Sequence, residues 1–136
     1  MNKILIAILF AGFGAQLLKM IIYLFKHKSL HWHDLVVTGG MPSSHSAFVV
    51  SLVSIIYLEE GTSTAFAISL VLAMIVLRDA FGVRRTVGEE GMVINDILRK
   101  IRLHKSTHFS MGHTPAQVLV GSWIGLMVSL LVYYLL

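Results

Sequence analysis

The sequence has no cysteine, only two prolines, and few charged residues, which make up 13% of its 136 positions. Without cysteine the chain forms neither disulfides nor zinc–thiolate sites, and it has no thiol nucleophile. Soluble domains keep about a quarter of their residues charged, whereas 56% of this chain is hydrophobic and its mean hydropathy is +0.79. So short a chain cannot hide that much apolar surface from water. The composition predicts one membrane-embedded domain over residues 1–136.

Acidic residues are also scarce, at seven, and they form neither a metal-ligand cluster nor part of a Walker-type loop. We therefore predict no metal and no cofactor. His31 and His33 have the His-x-His spacing of zinc ligands, but one nearby carboxylate is too little support, and an interfacial loop is favoured. The net charge of +4 comes from basic residues with no aromatic side chains interleaved, which argues against nucleic acid as a partner.

Four apolar runs predict transmembrane helices, since a bilayer core requires about 20 residues. They cover residues 4–25, 46–58, 62–77 and 115–136. The second run reaches about 17 residues, the lower limit of a span, when it is counted from Pro42. The first run has the look of a signal peptide, but it contains Gln16 and Lys19 and lacks a small-x-small exit, so we interpret it as a retained helix.

Residues 92–108 alternate apolar and charged side chains at nearly helical spacing, which predicts an amphipathic helix on the membrane or across the end of the bundle. The predicted fold is therefore an all-α integral membrane protein with about four transmembrane helices plus an amphipathic interfacial helix. The loops 26–44 and 78–112 then share one side. Nine lysines and arginines lie there, against Lys3 alone on the other side. The positive-inside rule predicts both loops in the cytoplasm, and we expect a bacterial cell membrane.

Two stretches place histidine just before an apolar run. Gly39–Ala47 reads Gly-Gly-Met-Pro-Ser-Ser-His-Ser-Ala, and residues 111–115 read Met-Gly-His-Thr-Pro. In the first stretch Pro42 suits the opening turn of a helix, and Ser43 or Ser44 suits its N-cap. A helix N-terminus presents unpaired N–H groups and a positive dipole end, so each stretch is suited to an anion.

On this topology, polar groups from four helices converge at one end of the bundle. They are Lys19, Ser43, Ser44, His45, Arg78, Asp79, Arg84, Arg85 and His113. Cations and hydroxyls at helix N-termini favour a phosphate, and two imidazoles favour acid–base and nucleophilic chemistry. The position of Lys19 allows two interpretations. Its side chain extends to the membrane interface, or it faces the interior of the bundle and binds the anion.

These residues carry a resemblance. Pro42-Ser43-Ser44-His45 is similar to the Pro-Ser-Gly-His motif of type 2 phosphatidic acid phosphatases, whose superfamily includes vanadium haloperoxidases. Four pieces resemble the small divergent PAP2 membrane family more closely: Gln16-x-x-Lys19, Gly40–Ala47, Asp79-Ala80-x-Gly82-Val83-Arg84 and Gly112-His113-Thr114-Pro115-x-Gln117-Val118.

The resemblance implies a PAP2-like helical bundle in which His113 attacks phosphorus, forming a phosphohistidine, and His45 is the general acid. It implies that Ser43 and Ser44 contribute to a phosphate cradle, which Lys19 and one or more arginines complete. It further implies a lipid phosphate as substrate. Four spans are fewer than the six usual in lipid phosphatases, which leaves room for a second copy of the chain to complete the site.

The sequence departs from the superfamily pattern at three positions. Ser106-Thr107 stands where the superfamily has Ser-Arg, so the phosphate-binding arginine must come from elsewhere, and Arg84 or Arg78 is our choice. Gln117 replaces an aspartate that orients the nucleophilic histidine. One helical turn from His113, its carbonyl can accept the imidazole N–H, with Asp79 as a candidate for the missing charge. Ser44 replaces the glycine of Pro-Ser-Gly-His.

The leading hypothesis is a metal-independent phosphatase for a lipid-linked phosphate or diphosphate, with a cytosolic-leaflet substrate resembling phosphatidate or phosphatidylglycerophosphate. The departures at Thr107 and Gln117 motivate a second hypothesis, a non-catalytic membrane protein that binds anionic lipid or a partner protein. A transporter subunit is a third reading with little support, because the sequence has no internal repeat.

Overall fold

The computed structural model describes residues 2–27, 40–103 and 112–136. Five helices account for most of them: α1 (Lys3–His27), α2 (Ser44–Glu60), α3 (Thr64–Phe81), α4 (Val83–Lys100) and α5 (Pro115–Leu135). The predicted all-helical membrane fold is confirmed. The histidines at 31, 33, 104 and 108, together with Thr107, lie outside the described residues.

Three helical segments are long and apolar enough to cross a membrane: Lys3–Phe25, the segment Thr64–Lys100 that α3 and α4 form together, and Pro115–Leu135. The shorter α2 has 17 residues and a length of about 26 Å, against a hydrocarbon core of about 30 Å. It nevertheless runs from one end of the bundle to the other. Its N-cap Ser43 donates a backbone hydrogen bond to the first turn of α5, whereas Glu59 at its far end lies 3.7 Å from Lys3 at the start of α1.

The shorter helix α2 is the centre of the bundle and packs against α1, α3 and α5. Small residues allow this close approach, as is usual where helices associate in lipid. A Cβ on Gly125 would lie 2.5 Å from the Ala47 carbonyl oxygen, and one on Gly121 would lie 2.2 Å from the Ser43 carbonyl oxygen. The hydroxyls of Ser51 and Ser129, 2.9 Å apart and fully buried, join the same two helices.

Helix α1 packs through alanines spaced four residues apart, a spacing that places side chains on one helix face. Ala7, Ala11 and Ala15 are completely buried. The Phe48 ring of α2 lies over Gly12, where a Cβ would be 2.1 Å from it. The opposite face of α1 exposes large apolar side chains, as expected of a helix in contact with lipid.

The amphipathic helix begins earlier than the sequence pattern indicated. We predicted it over 92–108, but α4 starts at Val83 and ends at Lys100, with only Gly82 between it and α3. The glycines at 88 and 91, which lie in the part of 78–112 that we predicted as a loop, are buried positions of the helix. An ion pair one turn apart, Arg85 with Glu89 at 3.0 Å, supports the first turns.

Candidate functional site

The Gly39–Ala47 stretch ends as a capped helix N-terminus. Ser43 is the N-cap of α2, and its hydroxyl accepts hydrogen bonds from the Ser46 N–H at 3.3 Å and the Ser46 hydroxyl at 2.9 Å. Pro42 is buried just before this cap, and not within the first turn of the helix as the sequence pattern predicts. Gly40 has a φ of +85°, a conformation that favours glycine, and its α-carbon faces the Lys19 side chain.

His113 is held against the end of α3. Its backbone N–H donates to the Ala80 carbonyl at 3.0 Å, and the residue exposes only 4% of its surface. Gly112 makes this approach possible, because a Cβ there would lie 2.3 Å from the backbone nitrogen of Arg85. The histidine is thereby brought beside the junction of α3 and α4, which carries Asp79 and Arg84.

The two stretches are joined through Gln117. The Ser43 N–H donates to the Gln117 carbonyl at 3.2 Å, so the start of α2 lies directly against the first turn of α5. The side chain of Gln117 contacts His113, with Oε1 3.3 Å from Nδ1 of the imidazole. The two imidazoles face each other, with ring centroids 6.2 Å apart and ring planes tilted by 56°.

Lys19 faces the bundle interior, which answers the question that the sequence left open. Its side chain lies beside Gly40, a Cβ on which would be 3.3 Å from Cε, and its charge acts on both His45 and His113. The lysine therefore belongs to the same cluster as the imidazoles.

Among the three candidate arginines, Arg84 is the one whose charge acts on His45. Its guanidinium Nε pairs with the Asp79 carboxylate, which also acts on His45. Asp79 thus contacts Arg84, whereas the partner of the His113 Nδ1 is Gln117. Both members of the Asp79–Arg84 pair are partly exposed to the space around them.

The other two arginines have different surroundings. Arg85 pairs with Glu89 on the exposed side of α4, and Arg78 lines a cavity of about 560 Å³ at the α3–α4 junction. This cavity also contains Phe81, Thr86 and Glu90. Ser44, the first residue of α2, is half-buried next to His45.

Burial lowers the pKa of His113 below its ordinary value of 6.5 because it disfavours the charged ring. The positive charges of Lys19 and His45 act in the same direction. Hydrogen bonds with Gln117 and with the backbone of Gly40 oppose them without reversing the shift. At neutral pH His113 is therefore neutral, the form in which an imidazole is a nucleophile.

Sequence reasoning missed Thr114, the N-cap of α5. Its hydroxyl accepts from the Gln117 N–H at 3.3 Å, while its own N–H donates to the Gln117 Oε1 at 3.1 Å. The Thr-x-x-Gln spacing of a capping box was legible in the sequence. The contact of His113 with the Ala80 carbonyl could not be predicted from the sequence, because no local pattern marks a backbone acceptor 33 positions away.

No three side chains of histidine, aspartate or glutamate come together to hold a metal ion within residues 2–27, 40–103 and 112–136. What the described residues assemble is a different set: two imidazoles, an amine and a guanidinium around the mouths of α2 and α5. This combination suits an oxyanion with a transferable group.

Comparison with known proteins gives one family and one relative. The divergent PAP2 family matches residues 1–128. An uncharacterized membrane protein of Bacillus subtilis (strain 168), YuiD, is 35% identical over an alignment of 150 positions that covers 98% of this chain and 95% of the relative. No solved structure matches.

Proposed function

The chain belongs to the divergent PAP2 family, and from this premise we propose that it is a phosphatase of the membrane that hydrolyses a lipid-linked phosphate or diphosphate. The single observation that carries the proposal is the His45–His113 pair, with 6.2 Å between ring centroids, beside Lys19 and Arg84. One tetrahedral phosphoryl group is small enough to contact both rings at once.

In the first step the Nε2 of His113 attacks phosphorus. The bond from phosphorus to the ester or anhydride oxygen breaks, and the leaving oxygen takes a proton from His45, whose charged form is favoured by the negative charge of the bound phosphate. Water then attacks the phosphohistidine, with His45 taking the proton from the water. The products are inorganic phosphate and the lipid alcohol, or the lipid monophosphate when the substrate is a diphosphate, and both histidines return to their starting forms.

Lys19 and Arg84 stabilise the charge that spreads over the three equatorial oxygens of the transition state. Arg84 is supported over Arg78 and Arg85 because it is the one of the three whose charge reaches His45. The carboxylate of Asp79 acts as a positioning group that fixes the guanidinium. The buried Ser43 hydroxyl already caps α2, so its contribution to the cradle is to present the N-terminus of that helix.

We propose that the polar end of the bundle faces the cytoplasm of a bacterial cell and that the substrate comes from the inner leaflet. Basic residues at this end support the orientation. A headgroup resembling that of phosphatidate or phosphatidylglycerophosphate fits a site at the helix mouths, with its hydrocarbon chain remaining in the membrane.

A second candidate function is binding of anionic lipid without turnover. The observation that favours it is the Gln117 contact, because a neutral amide stabilises an imidazolium less than a carboxylate does. Under this alternative Arg84 holds a lipid phosphate and nothing is released.

The test is release of inorganic phosphate from a panel of lipid phosphates by the purified protein, with vanadate and with EDTA in separate arms. We expect turnover that vanadate inhibits and EDTA does not. His113→Ala should lower the rate by at least about a thousandfold, since it removes the nucleophile. A His113→Ala variant as active as the wild type would contradict the proposal.

Two arginine variants form a matched pair for the same assay. Arg84→Ala should weaken vanadate inhibition by about 10- to 100-fold, the value of one charged hydrogen bond. Arg85→Ala, which removes the partner of Glu89, should leave vanadate inhibition within about threefold of the wild-type value. The second candidate is correct if the wild type releases no phosphate and binds no vanadate, and if the Arg84→Ala variant binds anionic lipid less well than the wild type does.

A further inference from the structure

The N-terminus of α5 holds the side chain of Gln117 from two sides. The Thr114 N–H donates to Oε1 at 3.1 Å, and Nδ1 of His113 lies 3.3 Å from the same oxygen. The hydroxyl of Thr114 closes the arrangement by accepting from the Gln117 N–H. One amide oxygen is thus shared between the helix cap and the imidazole.

The shared oxygen influences which of the two ring nitrogens of His113 carries the hydrogen. A backbone N–H can only donate, so the atom of the Gln117 amide that faces Thr114 is the oxygen and not the nitrogen. That oxygen can only accept, so Nδ1 of His113 must bear a hydrogen to bond it. The backbone of Gly40 also bonds this ring, with a smaller influence than Gln117. In the neutral ring that keeps the Gln117 bond, Nε2 is the nitrogen with the lone pair.

We propose that Thr114 is a positioning residue, which caps α5 and thereby holds Gln117 so that Nδ1 of His113 keeps its proton and Nε2 is the nucleophile. The catalytic consequence rests on the proposed function, but the tautomer of His113 does not. Thr114 itself touches no reacting atom.

The hydroxyl matters because Gln117 has three side-chain torsions and lies in the first turn of its helix. Loss of an N-cap destabilises the first turn of the helix and lets it fray. Gln117 would then leave Oε1 in several orientations, and the amide nitrogen could turn toward the imidazole. The neutral ring would become a mixture of its two tautomers.

The chain contains a matched control for loss of a cap. Ser63 is the N-cap of α3, and its hydroxyl accepts from the Phe66 N–H at 3.1 Å. It also bonds Glu60, at the end of the bundle where Glu59 meets Lys3, away from the two imidazoles. Ser63→Ala therefore removes a comparable cap without touching Gln117.

The experiment is ¹⁵N NMR of the protein labelled at histidine, in lipid nanodiscs, with the His113 signals assigned from their loss in His113→Ala. We expect Nδ1–H and an unprotonated Nε2 in the wild type, in Thr114→Ser and in Ser63→Ala. Thr114→Ala should show a mixture of tautomers. Thr114→Gly removes the same hydroxyl with less loss of helix stability than alanine causes, so it tests whether the tautomer changes while the helix stays folded.

Phosphate release is measured on the same set. Thr114→Ala and Thr114→Gly should lower kcat about 10-fold or more with KM within threefold, and Thr114→Ser should restore it. An unchanged His113 tautomer in both Thr114→Ala and Thr114→Gly would overturn the inference. Absence of any phosphate release in the wild type would instead overturn the proposed function, and the NMR result would still decide the role of Thr114.

Discussion

At the scale of single residues, the molecule replaces a carboxylate partner of histidine with an amide. Gln117 does two tasks with one oxygen, because Oε1 accepts from both Thr114 and His113. An amide fixes the tautomer but adds no negative charge, so burial is left as the dominant influence and the pKa of His113 stays low.

Gln117→Glu should therefore change the pH dependence of catalysis. Glutamate also suits this position of a capping box, so the helix cap should survive while a negative charge is placed 3.3 Å from the imidazole. The charge favours the imidazolium and raises the pKa of His113. Because His113 attacks only when neutral, the loss of activity on acidification should begin at a higher pH than in the wild type.

The measurement is the pH profile of kcat/KM for both proteins. In the wild type the acid limb should lie below pH 6.5, the ordinary pKa of histidine, because burial lowers the value. The acid limb should move to higher pH in Gln117→Glu. An acid limb that stays in place would show that another group controls it.

The arginines show what residue-level reasoning leaves undecided. Arg78, Arg84 and Arg85 lie within eight positions of each other, and their chemistry is identical. Helix geometry separates them: Arg84 pairs with Asp79 near His45, while Arg85 turns to Glu89 and Arg78 lines the junction cavity. Gly82 separates the two helices, so Arg78 lies on α3 while Arg84 and Arg85 lie in the first turn of α4.

At the scale of elements, the close contact of α2 with α5 holds the site together, since each helix begins beside one of the two histidines. Gly125→Ala should destabilise the protein by about 1 to 3 kcal/mol. The added Cβ would lie 2.5 Å from the Ala47 carbonyl oxygen and 2.9 Å from the Ser51 nitrogen, so the helices would have to separate.

Gly14→Ala is the control. It adds the same atom in the middle of α1, where nothing lies within 4 Å of the new Cβ. Since alanine is the better helix former by about 1 kcal/mol, this variant should be as stable as the wild type or more so. Thermal unfolding in detergent, followed by tryptophan fluorescence, measures both. Equal stability of the two variants would contradict the tight α2–α5 contact.

At the scale of the whole molecule, the bundle has two unlike ends. One carries the imidazoles, Lys19 and Arg84, and the other is closed by Lys3, which lies 3.7 Å from Glu59 and above the Tyr133 ring. The predicted orientation of the bundle in the membrane depends on the difference in charge between these two ends.

Because the chain has no cysteine, single cysteines can report the orientation. We expect Thr62→Cys, at the exposed turn between α2 and α3, to react in intact cells with a membrane-impermeant maleimide. Lys100→Cys, exposed at the end of α4, should react only in inverted vesicles. The reverse pattern would place the polar end outside and point to an outer-leaflet substrate.

The sequence by itself predicted that the chain lies in a membrane, that it is helical, and which side chains form the candidate site. These follow from composition, from the length of the apolar runs, and from residue types whose behaviour is local, such as glycine and proline before a helix. The pairing of His45 with His113 was also predictable, because both open a helix and an even number of crossings brings them to the same side.

The tertiary structure alone decided which groups touch. Lys19 could have snorkelled, but the packing of the alanine face of α1 turns it inward beside Gly40. Asp79 could have served His113, but Arg84 holds it, and the Ala80 carbonyl anchors the histidine backbone instead. Such choices depend on helix rotation and on contacts between distant positions, which no local spacing specifies.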